Sequence, residues 1–313
     1  MEELVIDKSE FTPLTKEEKK VEVIVRPSVS YWKDAWQRLI RDKMAIVSLI
    51  VITLIVLAAV LVPVCSKYTY EANDLLNINM KPSAEHWFGT DQLGRDIFVR
   101  VFYGARYSLI IAVVAAMINL VIGILYGGIA GYFGGIVDNI LMRIVDVIYS
   151  IPLTIYVIIF MAILNKPGKT GSGLWTIIIA LSISYWIGMA RIVRGDVLQL
   201  KQQEFVLAAR SLGVSKFKIL IRHLIPNCIG SIMVTLTLLI PEAVFTEAFL
   251  SFIGLGLTAP RASLGTLAND AMTAIYTYPY QLVPPAVVIC LIILAFNLFG
   301  DGLSDALDPK NKR

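Results

Sequence analysis

The side chains whose type and setting could do chemistry are few: Glu242 and Glu247, His86 and His223, three cysteines, and the triplet "GKT" at Gly168 to Thr170. The two glutamates stand five residues apart, about 140° around a helix, so they do not form a paired acid on one face. The triplet invites a phosphate-binding loop, but Gly-x-x-x-x-Gly-Lys-Thr needs a glycine where the chain has Ile163, and no strand pattern precedes it. Cys65, Cys228 and Cys290 are odd in number and lack metal-site spacing, so they read as small apolar side chains in or beside apolar helices. Neither His-Glu-x-x-His nor Gly-x-Ser-x-Gly is present, which leaves an intramembrane enzyme without its machinery.

The elements that must position these residues are membrane spans. The chain is 57% hydrophobic and 17% charged, with a mean hydropathy of +0.70, where a soluble domain carries about a quarter charged residues. The run Met44 to Val64 holds no charge, and about 20 such residues at 1.5 Å each cross about 30 Å of hydrocarbon. It begins too far into the chain, and is too long, for a signal peptide. Five further spans are expected near 107–131, 140–164, 172–192, 228–250 and 282–300, giving an all-α polytopic membrane protein of six transmembrane helices. Residues 1–35 are expected to be a polar cytosolic tail, residues 36–309 the six-span transmembrane domain, and 310–313 a short cytosolic end. "YWKDAWQRLIRDK" (Tyr31 to Lys43) has the spacing of a helix lying along the membrane surface.

Basic residues orient the spans. With the N-terminus in the cytosol, the inside segments collect 20 of the 28 Lys and Arg, so both termini are expected inside. His86 and His223 then fall on opposite sides and share neither a metal nor a proton relay. The "GKT" triplet falls outside, away from cytosolic ATP. Glu242 and Glu247 sit in span five, where ionisable groups are costly and often functional, and Pro241 before them is expected to kink the helix and open carbonyls to a cavity. A proton-coupled carrier is one reading of that pair. The small-residue run Tyr126 to Gly135, with Gly131 at its centre, is expected to mark close helix packing or a hinge.

The remaining feature is a charged segment, residues 200–227, set between two spans and containing "EFVLAARSLGVSKFKILIRHLIPN" (Glu204 to Asn227). Its grammar is helix, break, helix. Ala208, Ala209 and Arg210 favour a helix, Gly213 is placed to end it, and Ser215 to cap the next. Val206, Ala209, Leu212 and Phe217 are expected to form an apolar face that another protein covers. A lipid-bound amphipathic loop is the alternative from composition alone.

The order of features separates the two. Glu204, then Ala208 and Ala209, Gly213, and a Leu-x-Pro ending at Pro226 resemble the "EAA" loop of the membrane subunits of ATP-driven importers. Leu207 departs from that pattern, standing where the family's motif places a glutamate. "HWFGTDQLGRDIFVRVFYGARYSL" (His86 to Leu109), "EAFLSFIGLGLTAPRASLGTL" (Glu247 to Leu267) and "FNLFGDGLSDALDP" (Phe296 to Pro309) extend the resemblance to the C-type subunits of oligopeptide, dipeptide or nickel importers. The resemblance runs from about Trp36 to Pro309. It implies a methionine-importer-like permease fold and residence in the cytoplasmic membrane of a prokaryote. It implies as partners a paralogous permease subunit, two cytosolic ATPases, an extracytoplasmic peptide-binding protein and membrane lipid, with no nucleic acid. It assigns the coupling role to Glu204, Ala208, Ala209, Arg210, Gly213 and Ser215, and leaves ATP and magnesium to partner subunits, with no cofactor, metal or catalytic residue here. Gly131, Glu242 and Glu247 are the candidates for the pathway or its gate.

Overall fold

The structure, a computed structural model, describes residues 31–164, 172–257 and 261–307. The expected loop around Lys166 and Lys169, most of the N-terminal tail and the last residues from 308 lie outside them. Among the described residues there are helices and one isolated bridge between Thr90 and Asp96, with no other extended pairing.

A short amphipathic helix, α1 (Tyr31–Arg41), leads into α2 (Lys43–Cys65). Asp42 joins them as a cap: its carboxylate accepts the backbone N–H of Met44 at 2.9 Å and of Ala45 at 3.3 Å, pairing donors that a helix start leaves free. The central element is α3 (Ile97–Phe133), started by Asp96, whose Oδ1 accepts the N–H of Val99 at 2.8 Å. At 37 residues it extends about 55 Å, longer than the bilayer is thick, and it packs against α2, α6, α7 and α10. The remaining elements are α4 (Gly135–Tyr149), α5 (Leu153–Leu164), α6 (Ser172–Ser184), α7 (Trp186–Leu200), α8 (Glu204–Ser211), α9 (Lys216–Ile219), α10 (Ile229–Phe252), α11 (Leu264–Met272) and α12 (Val283–Leu307).

Five of the spans are long apolar helices: Lys43–Cys65, Ile97–Phe133, Gly173–Leu200, Lys216–Phe252 and Pro279–Leu307. The span expected at 140–164 is different. It is broken into α4 and α5, bent by 78°, because Pro152 lacks an N–H and restricts Ile151 away from the helical region. The fourth and fifth spans also run past their expected ends, to Leu200 and back to Lys216. The fifth reaches Lys216 through a π turn (Leu220–Leu224) and a 3₁₀ turn (Ile225–Cys228), with Pro226 in the first turn of the latter. Nor does Pro241 stop α10, which continues as one helix from Ile229 to Phe252.

The interior has two main apolar centres. One gathers Ile97, Ala105, Ala112, Ile177, Leu181, Val244 and Ile292 toward the Ile97 end of α3. The other gathers Met189, Val193, Val197, Ile219, Leu220 and Leu224 toward the opposite end, beneath α8 and α9.

Candidate functional site

The charged segment takes the expected helix, break and helix, and its backbone explains where it stops. Gly213 adopts φ +75°, its N–H donates to the Arg210 carbonyl at 2.9 Å, and Val214 N–H reaches the Ala209 carbonyl at 3.1 Å. This crossed pair is the Schellman closure, which a left-handed residue makes possible and which glycine adopts without a Cβ penalty. Ser215 then stands at the start of α9 with extended backbone angles, but its side chain makes no capping hydrogen bond. Glu204 lies in the first turn of α8 and Arg210 in the last, each with the charge sign that the helix dipole favours.

One face of the segment is anchored. Val206 and Ala209 are buried with Ile219, Leu220 and Leu224 against Val193 and Val197 of α7 and Ile232 of α10. The sequence places Val206 and Ala209 on a single apolar face with Leu212 and Phe217, whereas the structure splits the four. Helical spacing turns the first two inward and leaves Leu212 83% and Phe217 61% exposed, beside exposed Phe205 and Leu207. Glu204, Ala208, Gly213 and Ser215 share that open surface. Arg210 is exposed too, with its guanidinium 5.7 Å from the ring centre of Tyr132 at the end of α3.

The anchor is in turn held by α3 and α4. Gly123, Gly127 and Gly131 recur every four residues on α3, and α7 approaches them so closely that a Cβ at Gly127 would lie 2.2 Å from the Ala190 carbonyl oxygen. At Gly131 a Cβ would meet the Arg194 carbonyl oxygen at 2.8 Å. The Gly131 carbonyl accepts a hydrogen bond from Lys201 Nζ at 2.8 Å. The helix is unbroken through Gly131, and the close packing expected there is present. Asp138 of α4 takes both arms of Arg194, Nε at 2.5 Å and Nη2 at 2.6 Å, and Asp146 pairs with Arg191 at 3.1 Å. Sequence inspection does not pair these residues. The one signal is that both partners are charges in apolar stretches, which must find each other or water.

Glu247 and Glu242 have different surroundings. Glu247 is fully buried inside the subunit, accepting hydrogen bonds from Ser108 Oγ at 2.6 Å and Ser251 Oγ at 2.7 Å. Ser263, which caps α11, donates onward to Ser251 at 3.1 Å, and the Leu264 N–H donates to Ser108 at 3.3 Å. This network ties α11 to α3 and α10, and it turns Glu247 away from any open surface of the chain. Glu242 lies on an exposed stripe of α10 with Leu238, Phe245, Phe249 and Phe252. The two carboxylates do not meet.

At the far end of α3 the loop from Ser66 to Asp96 is tied down by polar contacts. His86 Nδ1 lies 2.8 Å from Asp96 Oδ2, both buried. Among the described residues no three His, Cys, Asp or Glu gather as a metal site.

The family model for the inner membrane component of binding-protein-dependent transport systems matches residues 123–313, and that for the N-terminal membrane domain of oligopeptide transport permease C matches residues 30–82. The oligopeptide transport system permease protein OppC of Bacillus subtilis is 50% identical over 308 residues, covering 98% of this chain and 99% of the relative. The dipeptide transport system permease protein DppC of the same organism is 47% identical over 296 residues, covering 94% and 91%. A crystal structure of the inward-facing MetNI methionine ABC transporter superposes with a TM-score of 0.54 over 68% of this chain and 96% of that one, at 20% identity, a likeness of fold alone.

Proposed function

The chain belongs to the family of inner membrane components of binding-protein-dependent transport systems, and from that premise we propose that it passes peptides and is driven through the segment Glu204 to Asn227. It is a permease subunit of an ABC importer. The cargo reading rests on the relatives' names, oligopeptide and dipeptide permeases. On this reading a paralogous permease completes the pathway, two cytosolic ATPases bind and hydrolyse ATP, and an extracytoplasmic binding protein delivers cargo. Both termini lie in the cytosol, and this chain makes and breaks no bonds.

The observation that carries the coupling role is the two-sided build of the segment. Its inner face is packed into α7 and α10, while Leu207, Leu212 and Phe217 stand exposed on its outer face with Glu204, Arg210 and Lys216 around them. An apolar centre ringed by charge is the make-up of a protein interface, in which the charges fix register more than they add affinity. A push on this face passes into α7 and α10 through buried contacts rather than through a flexible loop. A proton-coupled carrier has less support, since Glu247 is enclosed by serines and Glu242 stands apart from it.

The test is made on the reconstituted complex, with peptide uptake and ATP hydrolysis measured together for Gly213→Val and Glu204→Lys. Both variants are expected to insert, and to lose either ATPase binding or the stimulation of hydrolysis by loaded binding protein. Wild-type uptake and stimulation in both would reduce the segment to a passive surface loop.

A further inference from the structure

At the end of the bundle opposite the Glu204–Asn227 segment, a cavity of about 180 Å³ opens among the start of α3, the end of α10 and α11. It adjoins a second of about 370 Å³, and Arg95, Arg100 and Asp270 line both. Three arginines reach the smaller cavity, Arg95, Arg100 and Arg261.

Their carboxylate partners do not satisfy them. Asp91 accepts Arg95 Nε and Arg100 Nη1, each at 2.7 Å, along with the N–H groups of Leu93 and Arg95. It is therefore saturated, and it fixes both guanidinium groups in place. Arg100 is only 4% exposed, yet its Nε has no acceptor, and Asp270 lies 3.6 Å from its Nη2 with the carboxyl half open to solvent. Arg261 pairs with no carboxylate among the described residues, and its guanidinium sits 5.7 Å from the ring centre of Tyr107. A buried donor without an acceptor is rare in a settled structure and points to a missing partner. Three guanidinium groups against two carboxylates leave a positive excess, and the planar fork of arginine matches a carboxylate.

We propose that this cavity is a carboxylate site that takes the free C-terminal carboxylate of peptide cargo, an inference that rests on the peptide reading above. Its size suits one terminus rather than a whole peptide. Linear oligopeptides and dipeptides differ in every side chain but share that terminus, so a site for it serves many cargoes. Ser251 and Gly254 line the cavity on either side of Phe252, where the exposed stripe of α10 that carries Glu242 comes to its end.

The experiment compares ATP-driven uptake of a tripeptide with that of its C-terminal amide in the complete reconstituted importer. The binding protein is the same throughout, so its own preference cancels when variants are set against wild type. Arg261→Gln and Arg100→Lys are expected to reduce the preference for the free acid by about tenfold, the scale of one lost charge-assisted hydrogen bond. Should Arg100→Lys fail to assemble, Arg261→Gln decides, because Arg261 holds no carboxylate among the described residues. An unchanged preference in normally assembled Arg261→Gln overturns the proposal, as does equal uptake of acid and amide by wild type. Weaker docking of cargo-free binding protein in the variants, with the acid-to-amide ratio intact, would assign the cavity to an acidic side chain of that protein instead. No uptake of either peptide by the wild-type complex would overturn the peptide reading itself, and the carboxylate site with it.

Discussion

Adjacent glycines on α3 allow the close approach of α3 and α7 to be tested against its own control. In Gly127→Ala, the new Cβ would lie 2.2 Å from the Ala190 carbonyl oxygen, 2.9 Å from its carbon and 3.0 Å from its Cα. All three are backbone atoms, so no side chain can rotate away, and the helices must part until the shortest contact reaches at least 3.0 Å. In Gly128→Ala, the nearest atom is Leu220 Cδ1 at 3.4 Å, the end of a flexible side chain at ordinary contact distance. Both substitutions bring the same gain in helix propensity, about 1 kcal/mol, which cancels in the comparison. The difference left is overpacking at one position only, about 1–3 kcal/mol. For a chain of 313 residues that separates the two midpoints by roughly 1–2 °C per kcal/mol. Thermal unfolding of the purified complex, followed by loss of the intact species on gel filtration, should show Gly127→Ala below wild type and Gly128→Ala at or above it. Equal midpoints for the two variants would refute the close approach. Gly131→Leu, at the next glycine of the stripe, should go further and reduce assembly or transport.

Other expectations test the remaining supports. Asp138→Asn leaves Arg194 without its paired carboxylate and should loosen α4 from α7, with a cost below the roughly 3–5 kcal/mol of a fully buried pair because Arg194 is partly exposed; unchanged thermal stability would refute the bridge. Glu247→Leu strands the hydroxyls of Ser108 and Ser251 and should cost about 1–3 kcal/mol for each, read as a lower midpoint of unfolding, whereas a wild-type midpoint would mean the network carries no load. Gly213→Asn should couple better than Gly213→Val, because asparagine tolerates positive φ and a β-branched residue does not; equal stimulated ATPase activity would show that backbone strain at this position is immaterial. In a cysteine-free background, Lys169→Cys should be labelled from outside and Lys216→Cys only after permeabilisation, and the reverse pattern would invert the orientation of every span.

Local features are the ones legible in the sequence. The uncharged run of α2 and the left-handed break at Gly213 each depend on residues within a few positions of themselves. The features that escape a sequence reading are set by distant partners. Charge beginning near 192 predicts an end to the fourth span there, but Arg191 and Arg194 meet Asp146 and Asp138 of α4, and a paired charge does not end a helix. The inward turn of Val206 and Ala209 comes from the position of α7, which no local pattern reports. Pro152 is the exception, a break written plainly in the third span but masked by the apolar run around it. For Glu247, membrane depth alone suggests function, while Ser108, which donates to it, lies 139 positions away in the chain.

The π turn at Leu220–Leu224 has a bearing on where the exposed outer face of the charged segment points. A π turn holds one residue more than the α turn it replaces, so everything before it is rotated by about 100° relative to a continuous α-helix. Here α8 and α9, the outer face included, lie before the turn, and α10 lies beyond it. The 3₁₀ turn that follows at Ile225–Cys228 winds more tightly than an α-helix, so the azimuth of Leu212 and Phe217 about the α10 axis is set by the two turns together. Deleting one residue between 220 and 224 would remove the surplus from that balance and swing those side chains about a quarter-turn, with every residue of the face still present.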